Sequence, residues 1–406
     1  MTRKILSNSA VLFSSQILAR LVGFAYFVFL ARNLTVKQLG IYVWVLGFVY
    51  NFYPLADFGL QRLTVRDLAR SPQKEKVFLR KAFPFSFFLA LFSLFLVLTT
   101  GVILGVGREK LFYLFVFALT IIPYNLLFLY AAAKNAAEKM GFYGLLTILI
   151  SLLNFGGGYL VIHWRKELVF LFLSQVLILF FLALFLLIKE KAFSWKIKID
   201  FWKKLFREIW PIGVISTLAV FYLRVGLLSV GWLLGDFWAG IYGVASKFIE
   251  AGILLPSSVA LAFFPLTSRL VKENREKMRN VYRKGIFLLF LLSLPVGGIM
   301  FFGGKWIIPM LYGEQYLPAV PIFSLMGVLM VLFFVNSLAG NVIQSSSYLK
   351  SFVPFAFLNF LVAMVSCWWL ITKIGAIGGV WGMIISEIFG LIVNNVFVFR
   401  ILNEGN

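Results

Sequence analysis

The stretch LGIYVWVLGF, from Leu39 to Phe48, contains no charged residue and lies in a predominantly apolar run over residues 39–64. A run of about 20 apolar residues is long enough to cross a bilayer as one helix. Comparable runs, separated by short charged segments, recur along the whole chain. The strands of a transmembrane barrel are only about 10 residues long and alternate between apolar and polar residues, which excludes a barrel. We therefore predict an all-α polytopic membrane protein.

The composition agrees with this fold class. Of the 406 residues, 61% are hydrophobic and only 13% are charged, and a soluble domain could not bury so much apolar surface. We predict twelve membrane-spanning helices, over residues 5–30, 39–64, 83–106, 111–133, 142–163, 168–188, 208–233, 238–266, 284–303, 319–342, 351–372 and 376–399.

The distribution of basic residues predicts the topology. The N-terminus and the even-numbered connections carry 26 Lys and Arg residues, whereas the odd-numbered connections carry 8. By the positive-inside rule, this asymmetry places both termini in the cytoplasm. The net charge of +22 is therefore a topology signal and does not indicate nucleic-acid binding. We expect a multi-pass protein of the cytoplasmic membrane that contacts membrane lipids, including anionic headgroups.

The Gly-Ile-Tyr of the opening stretch recurs in AGIYGVASKF, from Ala239 to Phe248. Each copy begins the second span of a half-chain, after a short turn and a span that carries an arginine. The division predicts an N-terminal six-helix bundle over 1–190, a basic cytoplasmic linker over 191–207 and a C-terminal six-helix bundle over 208–406. Six spans per half leave both halves in the same orientation, as in transporters built from parallel repeats.

Polar residues in four predicted spans fall on one helix face each. A charged side chain in the bilayer costs about 2.5–3.5 kcal/mol on insertion scales, so it usually faces a cavity or a partner. Each stripe occupies a narrow arc, roughly 60° in the first span. The stripes comprise Ser9, Gln16, Arg20 and Gly23; Gly213, Thr217, Arg224 and Gly231; Gly243, Lys247, Glu250 and Ser257; and Glu387, Gly390 and Asn394. Such stripes can surround a hydrated interior between the two halves.

The cations in these stripes predict a site for an anionic substrate. Arg20 and Arg224 lie near mid-span and have no acidic partner in their own helices, and a guanidinium cannot lose its charge. Arginine recognises phosphate through bidentate hydrogen bonds. The predicted substrate-binding residues are Arg20, Arg224, Lys247 and Gln16. The candidates for binding a coupling ion, H⁺ or Na⁺, are Asp57, Glu250 and Glu387.

Structural roles are the alternative for several of these residues. Lys247 and Glu250 are three residues apart and can neutralise one another on one helix. Arg62, near Asp57, is expected to extend its side chain to the lipid headgroups. Glu387 can be a packed carboxyl or the partner of a cation on another helix, and the glycines can be close-packing positions.

Motifs for catalysis and cofactor binding are absent from the sequence. It contains no G-x-x-x-x-G-K-[ST] phosphate loop, no G-x-G-x-x-G and no cluster of metal-ligand residues. With one cysteine, no intrachain disulfide is possible. The longest connection, the basic linker of about 20 residues, is too short for a catalytic domain. We therefore expect a gradient-driven transporter without cofactors. An enzyme of glycan assembly is the weaker alternative, with Glu314 and His163 as its best candidates.

The region from Ile5 to Arg70 resembles Wzx-type polysaccharide-biosynthesis membrane proteins of the multidrug/oligosaccharidyl-lipid/polysaccharide (MOP) exporter superfamily, to which the MATE transporters belong. The resemblance rests on LT-x-x-x-x-G-x-Y from Leu34 to Tyr42, on DFGL from Asp57 to Leu60, on Arg66, and on LLGDFWAGIYGVASKF from Leu233 to Phe248. These motifs cover about a quarter of the chain. The remainder agrees in the number, spacing and length of the helices.

This resemblance implies two six-helix bundles around a central lumen and a flippase function. The implied substrate is an oligosaccharide linked to a polyprenyl pyrophosphate, which crosses the cytoplasmic membrane by alternating access. Many relatives carry Asp or Lys near position 224, where this chain has arginine, so details of ion coupling can differ. Drug and cation exporters share the fold and are the alternative function, although Arg20, Arg224 and Lys247 would repel cationic substrates. A single chain with a complete lumen has no need to oligomerise.

Overall fold

The computed structural model describes residues 2–190, 199–344, 346 and 349–403. Within these ranges the chain forms sixteen α-helices and two short 3₁₀ turns, and it contains no β-strand. The α-helices are α1 (Thr2–Asn33), α2 (Val36–Tyr50), α3 (Tyr53–Asp57), α4 (Leu60–Arg70), α5 (Glu75–Ile103), α6 (Arg108–Ala118), α7 (Ile121–Ala136), α8 (Met140–Trp164), α9 (Leu168–Glu190), α10 (Ile199–Leu233), α11 (Asp236–Gly252), α12 (Leu254–Glu273), α13 (Arg275–Tyr312), α14 (Val320–Gln344), α15 (Leu349–Ile374) and α16 (Ile377–Asn403).

Twelve segments of the described chain are long and apolar enough to cross a membrane, which confirms the predicted fold class. They are Val11–Asn33, Val36–Arg70, Pro72–Ile103, Arg108–Ala136, Met140–Trp164, Leu168–Lys189, Ile212–Leu233, Asp236–Ala260, Arg275–Tyr312, Glu314–Gln344, Ser351–Ile374 and Ile377–Asn403. Each overlaps one predicted span. The second segment comprises three helices, α2 to α4, and the eighth comprises α11 and the start of α12.

The chain folds into two compact units. The first unit comprises Met1–Leu34 and Val45–Val220, and the second comprises Thr35–Trp44 and Phe221–Asn406. Two helices are therefore shared between units, because α2 and α10 each contribute one end to either unit. This division differs from the predicted boundary between 190 and 208, and the reason lies in the packing of the first turns of α10.

The predicted linker is helical where the structure describes it. Residues 199–207 form the first turns of α10, whereas 191–198 lie outside the described residues. Leu205 is 4% exposed and Ile209 is fully buried, and both belong to the apolar core of the first unit, with Leu60, Leu63, Leu68, Leu79 and Phe83. The Trp202 indole donates a hydrogen bond of 3.3 Å to the carbonyl of Lys81. The start of α10 is thus an amphipathic helix docked on α4 and α5.

Small residues allow close helix packing within the first unit. α1 packs along α8, where Gly158 lies beneath the ring of Tyr26. A methyl group at Gly158 would lie 2.3 Å from the hydroxyl oxygen of Tyr26. Gly144 faces Ser15 in the same way, at 2.3 Å from its Oγ. Without a hydrophobic drive between helices in lipid, such close contacts supply the packing energy.

Within the second unit, the N-terminal ends of α2 and α11 meet at the two Gly-Ile-Tyr copies. Gly40 is the fifth residue of α2, and Gly240 is the fifth residue of α11. A Cβ atom on Gly40 would lie 1.6 Å from the carbonyl oxygen of Asp236, and one on Gly240 would lie 2.2 Å from that of Val36. The backbones therefore touch, and only glycine fits at either position. The repeated tripeptide marks a contact between its own two copies.

Candidate functional site

Arg224, Lys247 and Glu250 form a charged cluster within the membrane-spanning part of the second unit. The Lys247 Nζ lies 2.6 Å from one Glu250 carboxylate oxygen, and the Arg224 Nη2 lies 3.8 Å from the other. The side chain of Arg224 is 19% exposed, that of Lys247 is 29% exposed and that of Glu250 is 42% exposed. Two cations sharing one carboxylate leave the cluster with a net positive charge.

The sequence places these residues together through a tight turn. α10 and α11 are consecutive helices joined at Leu234 and Gly235, and Gly235 adopts φ 86°, which favours glycine. Arg224 lies about two and a half turns before the end of α10, by the helical repeat. Glu250 lies about four turns after the start of α11, by the same repeat. The reversal therefore brings the arginine of one helix beside the glutamate of the next.

Close packing fixes the segment of α10 that carries Arg224. A Cβ on Gly226 would lie 2.2 Å from the hydroxyl of Tyr242, on α11. The Trp44 indole, on α2, donates a hydrogen bond of 3.1 Å to the carbonyl of Leu228, and its ring fills the space beside Gly231. Because three helices meet here with little free space, the backbone on either side of Arg224 is held in one register.

The cluster brings together three of the residues that the sequence predicts for the site. Glu250, predicted as an ion-coupling candidate, contacts both Arg224 and Lys247, the two cations predicted to bind substrate. The neutralising pair of Lys247 and Glu250, considered as the alternative, is present. Arg224 has no acid in its own helix near mid-span, but it finds one on α11. The partly exposed cations can accept an anion in exchange for, or beside, the carboxylate.

A second polar site in the same unit surrounds Glu387 of α16, which is only 3% exposed. Tyr222, on α10, donates a hydrogen bond of 2.7 Å to Glu387 Oε1. Asn336, on α14, donates one of 2.8 Å to Oε2. Asn336 in turn accepts a hydrogen bond of 2.6 Å from Asn394. Of the described residues, none forms an ion pair with Glu387.

The polar face of α16 continues toward α15. Ser386 donates hydrogen bonds of 3.0 Å to the carbonyl and to the side-chain oxygen of Asn359, and Gly390 leaves room for the Asn359 amide. Sequence reasoning identified Glu387, Gly390 and Asn394, but it missed the partners contributed by other helices. Asn336, Asn359 and Tyr222 are polar groups in apolar helices, and that contrast was the available signal.

Asp57 has a local structural role in the first unit. Its carboxylate accepts backbone hydrogen bonds from Gly59 at 3.1 Å and from Gln61 at 3.0 Å. These bonds cap the N-terminus of α4, directly after the break at Phe58 and Gly59, whose φ values are 47° and 91°. The DFGL motif therefore forms a helix break with its own cap. This gives Asp57 a set of partners that sequence reasoning did not anticipate.

Arg20 and Gln16 lie on α1, in the first unit. Arg20 is exposed and Gln16 is half-buried. A methyl group at Gly23, of the same predicted stripe, would meet no atom within 4 Å. In contrast, Gly213 packs against the Phe58 ring, 2.6 Å from an added Cβ, and Gly231 packs against Trp44. The glycines of the α10 stripe are therefore close-packing positions and do not line open space.

Of the two residues considered for an enzyme, His163 contacts aromatic rings and Glu314 is exposed. The His163 ring lies 4.1 Å from that of Tyr159 and stacks on Phe29, at 6.2 Å between ring centroids. Its Nδ1 is 2.9 Å from the carbonyl oxygen of Tyr159. Glu314 begins a 3₁₀ turn and is exposed. No group of three or more His, Cys, Asp or Glu side chains with metal-binding geometry occurs among the residues that the structure describes.

Comparison with known proteins identifies the family to which the chain belongs. The model of a family described as "Polysaccharide biosynthesis protein" matches residues 29–321. None of the curated protein sequences matches the chain.

Solved structures share the fold at low sequence identity. A multidrug resistance MATE family transporter of the MOP superfamily, in an inward-facing conformation, superimposes with a TM-score of 0.74 at 14% identity, over 95% of this chain and 96% of its own. The lipid II flippase MurJ, in an inward closed conformation, gives 0.75 at 14% identity, over 96% and 87%. A MOP superfamily transporter from Pyrococcus furiosus gives 0.61 at 14% identity, over 99% and 96%. The fold is therefore that of the MOP superfamily.

Proposed function

We propose that this chain, which belongs to the polysaccharide biosynthesis protein family, is a flippase for an oligosaccharide linked to a polyprenyl pyrophosphate. Family and fold make it a multi-pass membrane transporter and not an enzyme. The proposal adds the substrate, its route across the cytoplasmic membrane, and an orientation with both termini in the cytoplasm. The orientation rests on the 26 to 8 distribution of basic residues.

The observation that carries the proposal is the cation pair around Glu250. A pyrophosphate group carries at least two negative charges and several acceptor oxygens. Arg224 offers a planar fork of donors and Lys247 a mobile ammonium, which together match such a group. Arg20 and Gln16, on α1 of the first unit, stay predictions from the sequence.

Glu250 reduces the electrostatic repulsion between Arg224 and Lys247 when no substrate is bound. Two neighbouring cations without a counter-ion would repel one another within a poorly solvated region. With Glu250 present, an arriving phosphate takes over contacts that the carboxylate makes in the empty site. Release of the substrate restores the ion pairs. The cluster thus binds the headgroup without holding it too tightly to let it leave, as translocation by alternating access requires.

Glu387 is the proposed coupling group for H⁺ or Na⁺. It is buried, and its carboxylate receives hydrogen bonds from two neutral groups, Tyr222 and Asn336. A buried carboxylate without a basic partner binds a proton or a cation more readily than one that is already paired. Asp57 and Glu250 were predicted to share this role. They have backbone and cationic partners instead, which favours Glu387.

Ligand binding in lipid nanodiscs tests the proposed substrate. We expect saturable binding of extracted polyprenyl-pyrophosphate glycans by the wild-type protein and at least a tenfold loss in Arg224→Gln. Arg269→Gln is the matched control, because Arg269 also pairs with a glutamate, Glu273 at 3.6 Å, but on an exposed helix face. Unchanged glycolipid binding in Arg224→Gln would remove Arg224 from the substrate site.

A cationic substrate is the second candidate, and the same experiment separates it. The specific observation in its favour is the buried Glu387, a negative group within the membrane-spanning part of the second unit. Saturable binding of cationic dyes that survives Arg224→Gln and is lost in Glu387→Gln, with no glycolipid binding, would establish the cation exporter and overturn the flippase.

A further inference from the structure

The first turns of α10 divide into three faces. The protein-facing side consists of Leu205 and Ile209, which are buried in the core of the first unit. A second face exposes large apolar side chains, Ile199 at 59%, Phe206 at 47% and Trp210 at 41%. The third face borders the exposed apolar side chains and lies opposite Leu205 and Ile209. It consists of Lys203, Lys204 and Arg207, all exposed, which occupy an arc of roughly 100° at the helical repeat.

The acidic residues of this segment do not neutralise the basic face. Glu208 forms an ion pair with Arg66 of α4, at 2.5 Å. Among the described residues, none forms an ion pair with Lys203, Lys204 or Arg207. The sequence of 191–198 adds three further lysines and no acid. Asp200, exposed on the same face, offsets one of these charges, so the face keeps a net positive charge.

α4 extends the same surface. Arg62, Arg66 and Arg70 follow one another at intervals of four residues and are all exposed, whereas Leu60, Leu63 and Leu68 are buried. The ion pair between Arg66 and Glu208 holds the two amphipathic helices side by side. α4 and the first turns of α10, each with a buried apolar face and an exposed basic face, thus lie side by side in the first unit.

We propose that this surface, formed by α4 and the first turns of α10, binds the headgroups of anionic phospholipids of the surrounding bilayer. An exposed apolar stripe with Trp and Phe, bordered directly by Lys and Arg, is the pattern of a helix at the level of the headgroups. The apolar stripe contacts acyl chains, and the adjacent cations contact phosphates. A soluble polyanion would satisfy the cations but would leave Phe206 and Trp210 in water.

The lipid-binding surface consists of residues of the first unit, whereas the charged cluster around Glu250 consists of residues of the second unit. It therefore stands whether or not the flippase proposal holds. Its effect is to enrich anionic lipid beside the first unit and to anchor the start of α10 at the membrane surface.

Lipid retention by purified protein tests the proposal. The protein is reconstituted in bilayers of equal parts phosphatidylglycerol and phosphatidylcholine, and the lipids that remain bound are identified by native mass spectrometry. The test variant is K203Q/K204Q/R207Q. The control variant is R108Q/K166Q/K373Q, which removes three exposed cations elsewhere. A third variant, K203R/K204R/R207K, keeps the charge and changes the side chains.

We expect the wild type to retain phosphatidylglycerol preferentially. The ratio of retained phosphatidylglycerol to phosphatidylcholine should fall at least about fivefold in the test variant, because each cation near an anionic surface contributes a factor of about this size. The control and charge-keeping variants should retain the wild-type ratio. Equal ratios in the wild type and the test variant would overturn the proposal, as would a loss of preference in the charge-keeping variant. Size-exclusion elution of each variant as a single symmetric peak shows that the variant is folded.

Discussion

The hydroxyl of Tyr222 donates a hydrogen bond of 2.7 Å to the carboxylate of Glu387, which joins α10 to α16 within the second unit. Removing one of the two donors leaves a buried carboxylate oxygen unsatisfied. We expect Tyr222→Phe to lower the free energy of unfolding by about 1–3 kcal/mol, measured by thermal unfolding in detergent. Tyr159→Phe, in which the lost hydroxyl is on an exposed residue, is the control. Equal melting temperatures for the two variants would contradict this role for Tyr222.

Glu387→Gln keeps the shape of the side chain and removes its ability to bind a proton or a cation electrostatically. We expect folded protein whose transport no longer responds to an imposed H⁺ or Na⁺ gradient. The measurement is translocation of a fluorescent lipid-linked glycan in liposomes, with and without the gradient. Glu314→Gln, at an exposed position, should respond like the wild type. Gradient stimulation that persists in Glu387→Gln would assign coupling to another residue.

Glu250→Gln removes the common counter-ion of Arg224 and Lys247. We expect tighter binding of a polyprenyl pyrophosphate, by about fivefold, because a partly exposed ion pair contributes up to about 1 kcal/mol. Turnover should fall, since release of the headgroup is no longer assisted by a returning carboxylate. The affinity is measured in nanodiscs and the turnover in liposomes. A weaker affinity in Glu250→Gln would mean that Glu250 positions the cations and does not compete with the substrate.

Gly40→Ala introduces a methyl group into the contact between α2 and α11. Its Cβ would overlap the carbonyl oxygen of Asp236, so one helix must move. We expect a loss of at least about 1–3 kcal/mol in the free energy of unfolding, the range for overpacked positions. Gly340→Ala, in α14, meets no atom within 4 Å and should be neutral or stabilising by up to about 1 kcal/mol. An unchanged free energy of unfolding in Gly40→Ala would show that α2 and α11 can move apart here without loss of stability.

Two substitutions of Asp57 separate its capping role from a role in ion coupling. Asp57→Asn keeps an acceptor for the backbone amides of Gly59 and Gln61 and removes the charge, so we expect near wild-type stability and transport. Asp57→Ala removes the cap and should lower stability by about 0.5–2 kcal/mol. The measurements are melting temperature and transport rate. A transport defect in Asp57→Asn with unchanged stability would restore Asp57 as a coupling group.

The membrane spans could be predicted from the sequence because the bilayer imposes one length and one composition on every helix. The helix breaks were harder to predict. The second span ends and restarts at Phe58 and Gly59, and the DFGL motif that encodes this break is short and locally capped. An aspartate two residues before a glycine is a recognisable turn signal, and reading it that way would have given Asp57 its structural role.

The start of α10 was predicted as a linker because its composition is basic. The high content of basic residues obscured the helical spacing of the apolar residues in this segment. Leu205 and Ile209 recur at helical spacing on the face opposite the lysines, as expected for an amphipathic helix. Where the segment docks depends on the apolar surface that α4 and α5 leave open, which the local sequence does not contain.

The candidate site could be predicted residue by residue but not as pairs. The arc of each helix identified Arg224, Lys247, Glu250 and Glu387, since charged groups within spans are rare. Their partners depend on how helices are rotated against one another. Arg224 meets Glu250 only because the turn at Gly235 reverses the chain, and Glu387 meets Asn336 only because α14 lies beside α16.

The contact between Gly40 and Gly240 also changes how the repeated tripeptide should be used in tracing ancestry. Each glycine is held by the backbone of the other copy, so drift at either position is opposed by the same close contact. Identity between the two copies at this position therefore reflects the packing constraint that each glycine places on the other. It does not indicate how long ago a duplication occurred. Relatives that replace one glycine should carry a compensating shift in the helix opposite, and the remaining, less constrained positions are the ones from which divergence between the halves can be dated.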